Sequence, residues 1–231
     1  MINQTLPGFG AMFDSSPPLE SVVLIIGRAG TLKSSFAYAV AMNLCKMMNS
    51  GGLYLSLEQN RNMFIRNLKS IGIMPSNRLH IIDFSTFMDS LGTNSHYFTH
   101  DEYVDFVFRA LSMELPDVGT NLRCFILDSL NALQSLMDVS EAELRRKMND
   151  FFFRLRKKGI LSLIIMEGDA DVERDEYYLV DGIIELGIMH IGTDIKRYVR
   201  IRKMRGCKHT LYPHILEVDG GIRVGGELIY E

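Results

Sequence analysis

The sequence predicts an α/β fold: a mostly parallel β-sheet flanked by helices, with C-terminal antiparallel hairpin strands. Three observations carry this. Continuous apolar runs at 22–26, 53–57, 124–127 and 161–166 alternate with segments of helical period. A strand that is apolar on both sides needs cover on both faces, which is the situation of a parallel sheet between helix layers. Beyond Asp181 the pattern shortens into strand-like stretches at 183–190, 196–203, 214–218 and 221–224. Turn signals stand at Gly192-Thr193-Asp194 and Asp219-Gly220. Finally, 231 residues, of which 47% are hydrophobic, are enough for one domain with a large core. The expected organisation is one domain over 1–231, with a lead-in at 1–20, a core at 21–181 and a β extension at 182–231.

A net charge of −3 argues against a polybasic nucleic-acid binder. No apolar run approaches membrane-spanning length and the first residues lack signal-peptide character, so a cytoplasmic protein with no membrane partner is expected. Cys45, Cys124 and Cys207 are far apart and odd in number, which suits reduced thiols and gives no zinc spacing.

In chain order, residues 5–20 are rich in Gly, Pro and Ser and read as a segment of turns. The apolar run Val22-Val23-Leu24-Ile25-Ile26 then enters Gly27-Arg28-Ala29-Gly30-Thr31-Leu32-Lys33-Ser34-Ser35, followed by an amphipathic helix from 36 to about 49. Strand, Gly-rich loop, Lys-Ser pair and helix is the order of a phosphate-binding loop. Successive backbone N–H groups and the helix N-terminus together form an anion cradle. Lys33 would reach the β- and γ-phosphates, and the Ser34 hydroxyl would ligate Mg²⁺. The usual pattern has Gly immediately before the Lys, where Leu32 stands. Its backbone N–H is still available, so binding should survive. The competing reading is a plain strand–turn–helix with Lys33 as a solvated helix start.

Gly51-Gly52 is expected to end that helix, and Leu53-Tyr54-Leu55-Ser56-Leu57 is a buried strand closing on Glu58-Gln59. Met63, Phe64, Leu68 and Ile71 have helical spacing, and His80-Ile81-Ile82 forms a short strand. Residues 84–100 show no clean period. Asp101 is expected to cap a helix through Val104, Phe108 and Leu111. The run 124–127 ends on Asp128-Ser129. Ser140-Glu141-Ala142-Glu143 is a capping box for a helix that runs to Lys158 and stops at Gly159. The run 161–166 ends on Glu167.

Ligands of such sheets sit beyond the carboxyl ends of the strands. Glu58, Asp128, Glu167 and the Gly-rich loop all fall there. Asp128 can act as the second half of a nucleotide site by holding Mg²⁺, or it can merely cap the next helix. Glu58 is a candidate general base for an attacking water, or a surface carboxylate at a strand–loop junction. Glu167 is next in line.

These motifs resemble the KaiC-type ATPases of the RecA superfamily over nearly the whole chain. Leu6-Pro7-Gly8-Phe9 resembles the family's lead-in. Residues 27–34 match its Walker A loop except at Leu32, and Leu55-Ser56-Leu57-Glu58 matches the strand ending on its catalytic Glu. The place of a second Glu is taken by Gln59. Ile126-Leu127-Asp128-Ser129-Leu130 matches the Walker B strand. Arg202-Lys203-Met204-Arg205-Gly206, after the 181–186 segment, resembles the K-x-R-G stretch with which such proteins reach a neighbour's nucleotide. The resemblance implies a RecA-like P-loop NTPase core, ATP and Mg²⁺ as ligands, and Lys203 and Arg205 acting across a subunit boundary. It further implies a homo-oligomer, typically a hexameric ring.

The strand holding these cations has no cleanly apolar face. Alternation puts Arg197, Val199, Ile201, Lys203 and Arg205 on one side, and Tyr198, Arg200, Arg202 and Met204 on the other. That suits an exposed or interface strand at the sheet's edge. Three functions compete: a regulatory or signalling ATPase with an unknown protein partner, a recombination mediator that binds DNA, and a nucleotide sensor that does not hydrolyse. The loop after Glu167 carries Asp169, Asp171, Glu173, Asp175, Glu176 and Asp181 against Arg174, so DNA ranks last. Leu32 and Gln59 point to slow hydrolysis.

Overall fold

A computed structural model of the chain describes residues 1–84, 100–112, 121–137 and 139–228. Its centre is a nine-stranded sheet in the order β3-β2-β4-β5-β1-β6-β7-β8-β9. The strands are β1 (Val22–Gly27), β2 (Gly51–Ser56), β3 (Leu79–Asp83), β4 (Leu122–Asp128), β5 (Leu161–Glu167), β6 (Gly182–Ile191), β7 (Asp194–Met204), β8 (His214–Val218) and β9 (Ile222–Glu227). The first six pair in parallel and the last three extend the sheet antiparallel.

The continuous apolar runs divide by parity, as a period of two requires. Along β1, Val23 and Ile25 face one core while Val22, Leu24 and Ile26 face the other. The first core holds α1 (Lys33–Met47) and α2 (Arg61–Ser70). The second holds α3 (His100–Ala110), α4 (Leu130–Leu136) and α5 (Glu141–Lys157), with α6 (Asp175–Leu179) packed near its end.

Helix α1 is not the amphipathic helix expected. It starts at Lys33 and is buried on nearly every side, from Phe36 through Cys45 with few breaks. The cause is the lead-in, which is more than a run of turns. Phe9 sets its ring edge-on to Phe36 at 5.6 Å and to Phe13 at 5.0 Å, and the Asn43 amide donates to the Thr5 carbonyl at 2.7 Å. The lead-in is in turn tied to the C-terminal strands, with Val224 N donating to Pro7 O at 2.9 Å and Thr210 N to Met12 O at 3.0 Å. Gly8 permits this contact. At φ 78°, a Cβ there would stand 1.9 Å from the Val224 carbonyl oxygen.

Several expectations are corrected. Gly51 and Gly52 open β2 instead of closing α1. The left-handed turn after the helix falls on Asn49, and Gly52 is held small by Leu79 and Cys45. Helix α3 begins at His100, one residue ahead of the expected cap Asp101. The short helices α4 and α6 had no readable period, because five to seven residues span two turns at most. Ser140 is the N-cap of α5, its hydroxyl accepting from Glu143 N at 3.4 Å, and the helix ends at Lys157. Of the irregular stretch 84–100, residues 85–99 lie outside the described residues.

Strand β7 is not at the sheet's edge, since β8 pairs with it at Tyr198 and Val199. Its simple alternation also fails. Ile183 pairs with Lys203 and Ile184 with Ile201, so Arg202 is an extra residue in a bulge. Val199, Ile201 and Met204 therefore share the first core. Arg202 and Lys203 both turn to the opposite side, toward the carbonyls of Ala170, Tyr177 and Val180.

Candidate functional site

Parallel register brings the sequence-predicted residues to one edge. Ser56 pairs with Asp128, Asp128 with Ile165, and Gly27 with Glu167, so β2, β4, β5 and β1 all end at the same level. Beyond that edge is a cavity of about 390 Å³. The loop contributes Ala29, Gly30, Leu32, Lys33, Ser34 and Ser35 to its lining. The ends of the neighbouring strands and the residues just past them supply Glu58, Gln59, Asp128, Ser129 and Glu167, and α2 with its C-cap closes it through Phe64, Asn67, Ser70 and Ile71.

The loop has the tight wrapping that an anion cradle needs. A Cβ at Gly27 would lie 2.1 Å from the Leu186 carbonyl, and Gly30 has φ 79°. Thr31 Oγ1 and Lys33 Nζ both donate to the Arg28 carbonyl, at 2.8 and 2.9 Å. Leu32 sits at φ 70°, ψ 25° in the left-handed region. A residue with a Cβ adopts that conformation at a cost of about 1–2 kcal/mol. The departure from Gly at this position is therefore a backbone matter. The turn is kept and Leu32 is strained to keep it.

Lys33 is largely buried, and that burial lowers its pKa against the raising influence of Glu167, Asp128 and Glu58. Asp128 is buried too. Desolvation pushes its carboxyl above the usual range, while hydrogen bonds from Tyr54 and Ser34 pull the other way. The Tyr54 hydroxyl donates to Asp128 Oδ2. The Ser129 hydroxyl donates to Glu58 Oε1 and accepts from Ala132 N at 3.2 Å, so one side chain caps α4 and holds the candidate base. Asn131 clasps Glu167 through both its backbone groups, at 2.7 and 3.1 Å. The Ser56 hydroxyl accepts from Gln59 N at 3.0 Å, and among the described residues Gln59 Oε1 is buried without a hydrogen-bond partner. Tyr54, Ser129 and Asn131 were not singled out from sequence. Only Ser129 had a signal, as the residue following Asp128.

The oxygens of Ser34 and Asp128 are hard donors lining one cavity, and their chemistry fits a divalent cation such as Mg²⁺. Arg28 does not face this cavity; it pairs with Asp169 across the loop's other side.

Lys203 and Arg205 are not brought to the site. Arg205 N donates to Asp181 O and Asp181 N to Val22 O, which places the pair beside the start of β1, at the opposite end from the Gly-rich loop. Lys203 Nζ donates to the Tyr177 and Val180 carbonyls at 2.8 and 2.7 Å. Arg205 reaches Asp181 at 3.3 Å and the Tyr178 carbonyl at 3.1 Å. Burial and the adjacent Arg205 lower the Lys203 pKa. The loop after Glu167 is less of an acidic field than its composition implies, because Asp169, Asp171, Asp175 and Asp181 pair with Arg28, Arg202, Arg145 and Arg156.

With this geometry in hand, comparison with known proteins is decisive at the family level: the family model "ATPase: KaiC" matches residues 2–228. The chain belongs to the KaiC ATPase family. It is 22% identical over 231 residues to the circadian clock oscillator protein KaiC of Thermostichus vulcanus, covering 95% of this chain but only 43% of that protein. It is 25% identical to a UPF0273 protein of Thermotoga maritima, with 96% of each chain covered. A UPF0273 protein of Aeropyrum pernix is 26% identical, with 95% of this chain and 91% of that one covered. The crystal structure of a KaiC-like protein from Pyrococcus horikoshii superposes with a TM-score of 0.76 at 22% identity, over 96% of this chain and 97% of that one. The fold is therefore the KaiC-like one, a mostly parallel sheet with antiparallel C-terminal strands. Among the described residues no helix is long and apolar enough to cross a membrane.

The strained loop and the buried carboxylate each have a measurable consequence. Leu32→Gly should relieve the left-handed strain, offset in part by about 0.5–1 kcal/mol of glycine chain entropy. The net gain, about 0–1.5 kcal/mol, should leave the melting temperature unchanged or raise it by a few degrees, about 2–4 °C per kcal/mol; a clearly lower midpoint would contradict the strain. Asp128→Asn should stabilise the ligand-free protein at pH 8. The folded-state pKa of Asp128 lies above its unfolded value, so the charged form is penalised at high pH and the penalty fades as pH falls through that raised pKa. The advantage of the variant should shrink on acidification in a pH series of thermal melts.

Proposed function

We propose that the chain binds Mg-ATP in the cavity beyond β1, β2, β4 and β5 and hydrolyses it slowly, as a regulatory ATPase. The observation that carries this reading is the convergence, at one sheet edge, of the Gly27–Ser35 loop, Asp128 and Glu58. Gly27, Arg28, Ala29, Gly30, Thr31, Leu32, Lys33, Ser34 and Ser35 wrap the phosphates with backbone N–H groups, and the Lys33 ammonium meets the terminal ones. Ser34 and Asp128 would hold Mg²⁺, which when bound offsets phosphate charge and polarises the phosphoryl group. Glu58, steadied by Ser129, accepts the proton of an attacking water. Helix α2 lines the remaining wall, where Asn67 and Ser70 offer polar contacts and Phe64 and Ile71 an apolar surface for the base.

Lys203 and Arg205 act in trans on this reading. They sit together at the far end of the sheet from their own loop, which favours service to a neighbour's nucleotide over their own. That calls for a closed homo-oligomer with nucleotide at each boundary, a hexameric ring being the form we favour, and for a cytoplasmic protein partner that reads its state. A nucleotide sensor without turnover is the second reading, favoured by Leu32 and by Gln59 in place of a second carboxylate.

Lys33→Ala should weaken ATP binding tenfold or more, in line with about 1.5–3 kcal/mol for a charge-assisted contact. Glu58→Gln should keep ATP while abolishing turnover. Titration calorimetry and phosphate release separate these, and equal ATP affinity in wild type and Lys33→Ala would defeat the loop assignment. A wild type that binds ATP but releases no phosphate would select the sensor.

Subunit sharing has its own check. Lys33→Ala chains mixed with Arg205→Ala chains should regain turnover that neither has alone, since a mixed boundary can hold one intact loop and one intact cation pair. Full activity from a strictly monomeric protein would exclude action in trans.

A further inference from the structure

We infer that Tyr54 is a positioning residue for the cation site, its hydroxyl holding Asp128 and Ser34 in the mutual orientation a divalent metal requires. This rests on the Mg-ATP reading above and adds a residue to it.

Tyr54 lies in mid-strand on β2 and pairs with Ile126 on β4. Asp128 is two residues further along β4, hence on the same face, at the diagonal position that an aromatic side chain can reach. The Tyr54 side chain is fully buried, its ring stacked on Phe64 at 4.4 Å between centroids and near Tyr38 at 6.1 Å. Phenylalanine would fill this place equally well, and a buried hydroxyl is costly unless it is bonded. Here it is bonded into the site: it donates to Asp128 Oδ2, and the Ser34 hydroxyl interacts with both Tyr54 and Asp128.

The chemistry of a serine ligand explains the arrangement. A hydroxyl that turns a lone pair toward a cation must send its proton elsewhere. The Tyr54 oxygen can accept that proton while its own goes to Asp128 Oδ2. Ser34 is then aimed, and the other Asp128 oxygen is left for the metal. Partners behind the ligands commonly govern metal affinity in this way. The cavity lining hides the role, because Tyr54 does not itself reach the cavity surface.

The test is Tyr54→Phe, which keeps the ring and removes only the hydroxyl. ATP affinity is measured by calorimetry with saturating Mg²⁺ and again with EDTA, giving the gain due to metal. Tyr38→Phe is the control. The Tyr38 hydroxyl, in the same core, accepts from Ser76 N at 3.0 Å away from Asp128. We expect Tyr54→Phe to leave the EDTA affinity within about twofold and to cut the Mg²⁺ gain by about tenfold, with Tyr38→Phe keeping the full gain. An unchanged gain in Tyr54→Phe overturns the inference, as does an equal loss with and without metal, or an equal effect of Tyr38→Phe. A wild type that gains nothing from Mg²⁺ removes the assignment of Ser34 and Asp128 and this inference together. Intact wild-type gain with an indifferent Tyr54→Phe removes the inference alone.

Discussion

The enclosure of α1 is the constraint on which the rest of the structure depends. A helix buried on one face can tilt or slide, and one buried nearly all round cannot without disturbing a close-packed interior. The sheet lies beneath α1, while the lead-in rings cover its outer side and are themselves tied to the strands after β7. The first turn of α1 carries Lys33 and Ser34, so the position of both is set by packing tens of residues away in sequence. The N- and C-terminal parts of the chain, joined at Pro7 to Val224 and Met12 to Thr210, act as one clamp on the helix that presents the loop.

The same edge shows how a site is assembled from residues with opposed electrostatic needs. Lys33 and Asp128 are each pushed toward neutrality by burial, and each is supported by the other's charge. Asp128 is additionally fixed by hydroxyl donors. A carboxylate so placed lowers the stability of the ligand-free fold, which is the common relation between preorganised sites and their scaffolds.

Much of this was legible in the sequence, for identifiable reasons. Runs such as 22–26 and 161–166 leave little alternative to buried parallel strands, and the residues at the carboxyl end of such a strand must lie at the ligand edge. Hence Lys33, Ser34, Glu58, Asp128 and Glu167 could be placed together before any coordinates. Tyr54 could not, since a tyrosine within an apolar run looks like packing and only the cross-strand diagonal reveals its hydroxyl partner. The left-handed turn at Leu32 was hidden because leucine gives no hint of positive φ. The burial of α1 was missed because its cover comes from a Gly- and Pro-rich segment that carries no period. Strand β7 was misphased because one bulged residue breaks the alternation on which face assignment rests.

That bulge at Arg202 has a further consequence. Ahead of it, Val199 and Ile201 are committed to the core, and their phase admits no slip. After it, Met204 returns to the same core, while Lys203 and Arg205 gather on the Asp181 segment. The inserted residue works like a gear between two halves of one strand, keeping Ile201 and Met204 in the interior while it turns Lys203 away from it. Without the extra residue, Ile201, Lys203 and Met204 would simply alternate; with it, two cations stand side by side on the face away from the core where strict alternation would allow one.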